Sequence, residues 1–216
     1  MSTKRDKRKK AEKKKLNNLK NNQAKELSQF DIQKGLKELF NPSKLTTPKS
    51  INDDIKIFCK KISSIDPFFI DIEPELWSRQ SCCDLNIKEY IKTNGGRIVC
   101  GYKIWYNNPN YIEAERHAIW CKDEIYKDIS FNSEGENNIL FIPDVIEKQN
   151  TLEDNESRIR WGKSLKTKQL IKAQEGFESM IPMQQMSDEE SWNTMLTYEK
   201  WKDGQRMSNI QIQSNS

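Results

Sequence analysis

The chain has 216 residues, of which 35% are hydrophobic and 31% charged, and its net charge is +4. This length is ample for one domain with a buried core and extensions. Five cysteines without C-x-x-C spacing and a single histidine argue against a disulfide framework and a zinc site, so we expect neither a metal nor another cofactor. No apolar run is long enough for a signal peptide or a membrane helix, which predicts a cytoplasmic protein without membrane contacts.

The positive charge is concentrated at the N terminus. Residues 1–20 contain ten Lys and Arg against two acids, which leaves the remainder of the chain near −4. Segment 1–22 has almost no apolar residues before Leu16, a composition that favours a disordered or frayed helical arm. Clustered cations of this kind also bind RNA, DNA or ribosomes by releasing counterions. The candidate nucleic-acid contacts are Lys4, Arg5, Lys7, Arg8, Lys9, Lys10, Lys13, Lys14 and Lys15.

Helical spacing of apolar residues continues after the arm. It predicts a helix within residues 23–40, which Asn41-Pro42 ends, and a polar linker then runs to residue 54. A second helix is expected within residues 55–65, followed by a short strand at 68–72.

A helix with two adjacent cysteines is the next predicted element. Ser81 and Asp84 have the form of a capping box, and Gly95 suits the helix C terminus. Cys82 and Cys83 would then lie in the first turn. Unpaired backbone N–H groups and the helix dipole stabilise a thiolate or a neighbouring oxyanion there.

The two cysteines are predicted on different faces of this helix. Cys83 shares an apolar stripe with Ile87, Tyr90 and Ile91, which would face a sheet. Cys82 shares a polar face with Asn86, Glu89 and Thr93. Cys83 is therefore the better candidate for a nucleophile.

The single histidine, His117, lies on a predicted strand, residues 111–121. A polar break at 122–123 separates this strand from the next, residues 124–130. If the break is the hairpin loop, cross-strand partners have position numbers that sum to 245, and His117 lies opposite Asp128. A four-residue loop keeps this register, whereas an odd-length loop or a bulge breaks it. The sequence therefore predicts a Cys-His-Asp site, in which Asp128 orients the imidazole and Cys83 is the nucleophile.

Four stretches carry a resemblance to known proteins. They are C-D-L-N-I at 83–87, G-G-R-I-V-C-G-Y-K-I-W at 95–105, I-E-A-E-R-H-A-I-W at 112–120 and Y-K-D-I-S at 126–130. They resemble a group of small, mostly uncharacterised bacterial and phage proteins with the pattern C-x-x-N-V, G-G, G-W-x-I-W, E-A-E-x-H-A-V-W, D-x-T-P. The order of Cys on a helix, His on a strand and Asp on the next strand is similar to papain-like thiol hydrolases. This chain departs from the pattern at Tyr102 and at Ser130-Phe131, but the Cys, Asn, His and Asp positions are filled.

The helix-then-strands order predicts an α+β fold, and the resemblance implies a papain-like core over residues 55–144. In that core the cysteine helix packs on an antiparallel sheet of residues 97–105, 111–121 and 124–130. Papain-like sites also use a polar side chain just before the nucleophile to complete the oxyanion hole, for which Gln80 is the candidate. The candidate substrate-binding residues are Asn86, Trp105 and Trp120.

The remainder is predicted as a strand at 139–142, stopped by Pro143, and a helical C-terminal extension, residues 145–216, partly disordered at its end. Its tryptophans would cover the sheet or bind a partner. Two classes of function stay open. The first is a thiol hydrolase or acyl transferase acting on a peptide, amide or ester. The second is a non-catalytic protein that binds nucleic acid or ribosomes through its basic arm.

Overall fold

The computed structural model describes residues 27–145, 157–181 and 186–207. The basic arm, residues 1–22, and its candidate nucleic-acid contacts therefore lie outside the described residues. The helices are α1 (Gln29–Leu39), α2 (Asp53–Cys59), α3 (Cys83–Asn94), α4 (Leu165–Glu178), α5 (Asp188–Thr194) and α6 (Tyr198–Lys202). The strands are β1 (Phe68–Asp71), β2 (Arg97–Asn107), β3 (Tyr111–Lys122), β4 (Ile125–Lys127), β5 (Asn138–Pro143) and β6 (Arg158–Gly162).

These strands form one antiparallel sheet, which confirms the predicted α+β class. Its order is β1-β5-β2-β3-β4, and β6 also pairs with β3. The long hairpin of β2 and β3 is the centre of the sheet and pairs from Arg97 with Cys121 to Asn107 with Tyr111. On the other edge of β3, β6 pairs with residues 111–115 and β4 with residues 120–122. In the described part of the chain neither strand pairs with residues 117–119, so His117 lies in a gap at this edge.

One face of the sheet carries α2 and α3. Ile55 of α2 belongs to a cluster with Ile104 and Ile112, and Ile87 of α3 belongs to one with Cys100 and Ala118. The contacted residues of β2 and β3 all have even numbers, as expected when side chains alternate between the two faces of a strand. The core is therefore layered, with helices on one side of the hairpin.

The opposite face is apolar at its ends and polar between them. One end holds a cluster of Val99, Ile119 and Phe141 with β1. At the other end Tyr111 packs with α1 and α4 through Leu39 and Leu170. Between these clusters five odd-numbered charged or aromatic residues of β2 and β3 line a cleft of about 440 Å³: Lys103, Trp105, Glu113, Glu115 and His117.

Most predicted elements are present with shifted ends. The first helix, α1, begins at Gln29, and the strands expected at 68–72, 97–105, 111–121 and 139–142 correspond to β1, β2, β3 and β5. The second helix is shorter than predicted, because α2 ends at Cys59 and turns follow. The strand expected at 124–130 is only Ile125–Lys127.

The prediction of a helical extension is wrong for residues 158–162, which form β6. Ile159 and Trp161 pack on the core, whereas Arg158 and Arg160 face the cleft. This is the alternation of a half-buried strand, and the pairing with β3 brings the segment into the same sheet. Within the described residues no helix has the length and apolar character needed to span a bilayer.

Candidate active site

The start of α3 differs from the predicted capping box. Ser81 has a φ of 59°, and the N-cap is Cys82, whose side chain makes no capping hydrogen bond. The left-handed backbone at Ser81 removes its hydroxyl from the cap position, and Asp84 pairs instead with Lys88, at 2.9 Å. The capping-box prediction is therefore wrong. One consequence is that the first N–H groups of α3, beside Cys83, receive no side-chain cap from Cys82.

The face that Cys83 was predicted to occupy is confirmed. Cys83, Tyr90 and Ile91 pack against the cluster around Ile87, and Cys83 also reaches the cleft. Cys82, by contrast, is buried rather than on an exposed polar face, and burial raises the pKa of its thiol to about 11.

The remaining three cysteines are all buried. Burial raises the pKa of Cys59 to about 12 and that of Cys100 to about 11. Buried, protonated thiols make poor nucleophiles. Among the five cysteines, only Cys83 is partly exposed.

The hairpin register that was predicted to join His117 and Asp128 is wrong by two residues. Trp120 pairs with Lys127 and Cys121 with Tyr126, so partner numbers sum to 247. The loop is Asp123-Glu124, with φ values of 50° and 63°, the backbone of a type I′ turn. A slip of two residues keeps every side chain on its original face, so Asp128 becomes a diagonal neighbour of His117.

His117 and Asp128 nevertheless meet, with Nε2 of the ring 2.9 Å from Oδ2 of the carboxylate. β4 ends at Lys127, and Asp128 leaves β3 to form a parallel bridge with Ile72. The other carboxylate oxygen, Oδ1, accepts a hydrogen bond from the backbone N–H of Ser130 at 2.9 Å. Each oxygen of Asp128 therefore has a partner, which fixes the carboxylate's orientation towards the ring.

Cys83 lies close enough to His117 for its thiol to contribute to the pKa of the ring, and both residues line the cleft. Because Nε2 faces Asp128, Nδ1 is the ring nitrogen that remains for the sulfur. Burial lowers the pKa of His117, but the charges of Asp128 and Cys83 and the hydrogen bond to Asp128 outweigh it and raise that pKa to about 10. A pKa in this range keeps the ring protonated at neutral pH, beside the carboxylate of Asp128.

Asn86 ties α3, the helix of Cys83, to its surroundings. Its side chain is fully buried, its Oδ1 accepts from the backbone N–H of Arg79 at 2.7 Å, and its Nδ2 donates to the Arg79 carbonyl at 2.8 Å. Nδ2 also lies 3.3 Å from Oγ of Ser130, whose backbone holds Asp128. Asn86 thus joins the loop before Cys83 to the loop that holds Asp128. Its amide is taken up by these contacts and does not line the cleft.

Gln80 lines the cleft beside Ser81 and Cys83. Its own N–H donates to the carbonyl of Leu196 at 2.9 Å, so the loop is held by the C-terminal segment. That segment also contacts Arg79, whose Nε donates to the carbonyl of Trp192 at 2.7 Å. Gln80, which was predicted to complete an oxyanion hole, thus lines the same cleft as Cys83, and its backbone is held by the C-terminal segment.

The two tryptophans that were predicted to bind substrate lie in different places. Trp105 lines the cleft, and its Nε1 donates to Oε2 of Glu115 at 2.7 Å. Trp120 packs on Tyr90, at 5.3 Å between ring centroids, and its Nε1 donates to the carbonyl of Gly95, so it braces α3 away from the cleft.

Sequence reasoning missed Ser130 and the C-terminal contacts. Ser130 follows Asp128 by two residues, the spacing at which an aspartate accepts from a backbone N–H, so a local signal existed. The docking of Trp192 and Leu196 on the loop before Cys83 joins residues more than 100 positions apart, and no local pattern indicates it.

Comparisons of the chain with family models, with curated proteins and with solved structures find no match. The chemistry of the site is therefore inferred from its geometry.

Proposed function

We propose that the protein is a papain-like thiol hydrolase or acyl transferase that acts on a peptide, amide or ester bond. The observation that carries the proposal is that Cys83, partly exposed at a helix start, and His117, bonded to the buried Asp128, line one cleft. A helix that presents the cysteine against an antiparallel sheet supports a papain-like core. A structural histidine would be satisfied by Asp128 alone, whereas this one also lies in a cleft with a partly exposed thiol that contributes to its pKa.

In the proposed reaction the Cys83 sulfur, as thiolate, attacks the carbonyl carbon of the substrate. The carbonyl oxygen becomes an oxyanion, which the backbone N–H of Cys83 and the amide of Gln80 stabilise. The imidazolium of His117 gives its proton to the leaving group, and a thioester remains. The neutral ring then takes a proton from water or another acceptor, which attacks the thioester and releases Cys83.

The experiment that tests this proposal is alkylation by iodoacetamide, followed by mass spectrometry. At pH 6.5 we expect Cys83 to react first, and His117→Ala to slow it about tenfold or more, because an ordinary thiol has a pKa of about 8.5 and is mostly protonated there. Cys82→Ala is the matched control and should leave the rate unchanged. Equal rates with and without the His117 ring would contradict the proposal.

A further inference from the structure

The floor of the cleft beyond His117 is built from rows of side chains that cross three strands. Lys103 of β2 pairs with Glu115 of β3, which pairs in turn with Arg158 of β6. This row lies two residues from His117 along β3, which is roughly 7 Å. The three residues of the row and His117 lie on the same face of the sheet, and all four line the cleft.

A second row, Trp105, Glu113 and Arg160, lies farther from His117, and its charged side chains make short contacts. Glu113 accepts from the hydroxyl of Tyr111 and from Nε of Arg160, the latter at 3.0 Å. Arg160 also makes a two-pronged contact with Glu178, at 2.7 and 2.9 Å, and its side chain is only 4% exposed. These short contacts leave Arg160 and Glu113 little capacity for a ligand, and the other oxygen of Glu113 lies 3.6 Å from Arg158.

The charged side chains of the nearer row, Lys103, Glu115 and Arg158, make longer contacts. In the described part of the chain, Arg158 has ion-pair contacts of 3.6 Å to Glu113 and 3.5 Å to Glu115, and its side chain is 47% exposed. Lys103 is 3.5 Å from Glu115, whose Oε2 is already bonded to Trp105. Within this row two cations share one carboxylate, and the ion-pair contacts that hold them are all 3.5 Å or longer.

We propose that this row binds a carboxylate of the substrate, with Arg158 as its main ligand and Lys103 as a second. The guanidinium offers paired donors that match a carboxylate, and its present contacts are long enough to be exchanged for shorter ones. Glu115 holds the cations in place through its bond to Trp105. The substrate class is thus an acyl compound with an acidic group near its scissile carbonyl. This inference rests on the proposed function, because it locates that group relative to Cys83.

Matched chloroacetyl reagents test the site. Chloroacetylglycine and its amide carry the same electrophile and differ in one charge, and analogues built on β-alanine and 4-aminobutyrate move the carboxylate outward. The measured quantity is the second-order rate constant for alkylation of Cys83. We expect one of the acids to react about tenfold faster than its amide, the ratio that a charge-assisted hydrogen bond supplies.

Substitutions in the row test whether its cations cause the preference for the acid. Arg158→Gln should bring the ratio of acid to amide close to one, and Lys103→Gln should lower it. Arg97→Gln, at an exposed position outside the cleft, is the matched control and should leave the ratio unchanged. A ratio near one in the unmodified protein for every linker, or a ratio that Arg158→Gln does not alter, would overturn the carboxylate site.

The two proposals fail in different ways. If the amides react at a His117-dependent rate but no acid is preferred, the thiol chemistry stands and the carboxylate site is wrong. If the acid is still preferred in an Arg158-dependent way, but His117→Ala does not change the alkylation rate of Cys83, the carboxylate site stands and the proposed function is wrong.

Discussion

At the scale of single residues, Asp128 orients the His117 ring, because one carboxylate oxygen meets Nε2 of the ring and the other accepts from the backbone N–H of Ser130. The alternation of side chains along β3 and β4 was sufficient to place Asp128 on the face of His117, because a slip by two residues preserves the face. The loop residues Asp123 and Glu124 both adopt positive φ without a glycine, so the turn type could not be recognised from its residues. The pairing of His117 with the sulfur depends on where α3 docks, which no local pattern encodes.

Asn86 provides a prediction at this scale. Asn86→Ala removes three hydrogen bonds and leaves the backbone N–H and carbonyl of Arg79 without their side-chain partner. We expect the free energy of unfolding to fall by about 2–4 kcal/mol, because a buried polar group left unsatisfied costs about 1–3 kcal/mol. Urea denaturation measures this change.

Asn193→Ala, at an exposed position of α5, is the control and should change the free energy of unfolding little. Asn86→Ala should also slow iodoacetamide alkylation of Cys83 under conditions where the variant remains folded, since the loop before the nucleophile loses its anchor. A change in stability of the same size in both variants would show that Asn86 does not join the two loops.

At the scale of elements, periodicity identified α1 and β3, because each carries one repeat over 11 or 12 residues, whereas β5 was identified by its unbroken apolar run. β6 was missed because it is five residues long and lies before α4, so its alternating Arg-Ile-Arg-Trp pattern was merged with the helical one. The start of α3 was misplaced by one residue because the capping prediction relied on residue types, whereas the backbone at Ser81 decides whether its hydroxyl can reach.

The pairing of β2 with β5 gives a prediction for Gly101, which lies opposite Pro143 and beside His117 in the sheet. A Cβ built there would lie 2.2 Å from the carbonyl oxygen of Ile142 and 2.8 Å from Cα of Pro143. Gly101→Ala therefore forces β5 away from β2. We expect a loss of more than about 3 kcal/mol in the free energy of unfolding, as in overpacked cores.

The matched substitution is Gly176→Ala. Gly176 lies in α4, and a Cβ there meets nothing within 4 Å. Alanine should stabilise that helix by roughly 0.5–1 kcal/mol, because glycine is the poorer helix former. Thermal unfolding of both variants checks the pair, and similar melting temperatures would contradict the tight approach at Gly101.

At the scale of the whole molecule, the sheet includes residues from both the predicted core and the predicted C-terminal extension. Residues 158–162 belong to the predicted extension yet supply the strand with Arg158, and the C-terminal segment braces the loop that holds Gln80. The fold class follows from the order of elements, whereas these long-range contacts depend on tertiary packing.

The basic arm remains a prediction, since it lies outside the described residues. Deleting residues 1–20 should remove most of any association with RNA or ribosomes, because that segment holds the excess positive charge. The melting temperature should change little, because the segment has few apolar residues to bury. Sedimentation with ribosomes at fixed salt measures the association, and binding that survives the deletion would count against the arm.

The central claim is that His117 is held as an imidazolium between Asp128 and Cys83, and nuclear magnetic resonance tests it most directly. His117 is the only histidine, so its ring signal is assigned without ambiguity. With a pKa of about 10, the signal should keep its protonated shift from pH 5.5 to 8.5. Asp128→Asn should move the midpoint down towards or below about 6.5, since burial then opposes the charged form, and Cys83→Ala should lower it less. A midpoint near 6.5 in the unmodified protein, or one that Asp128→Asn leaves in place, would contradict the account.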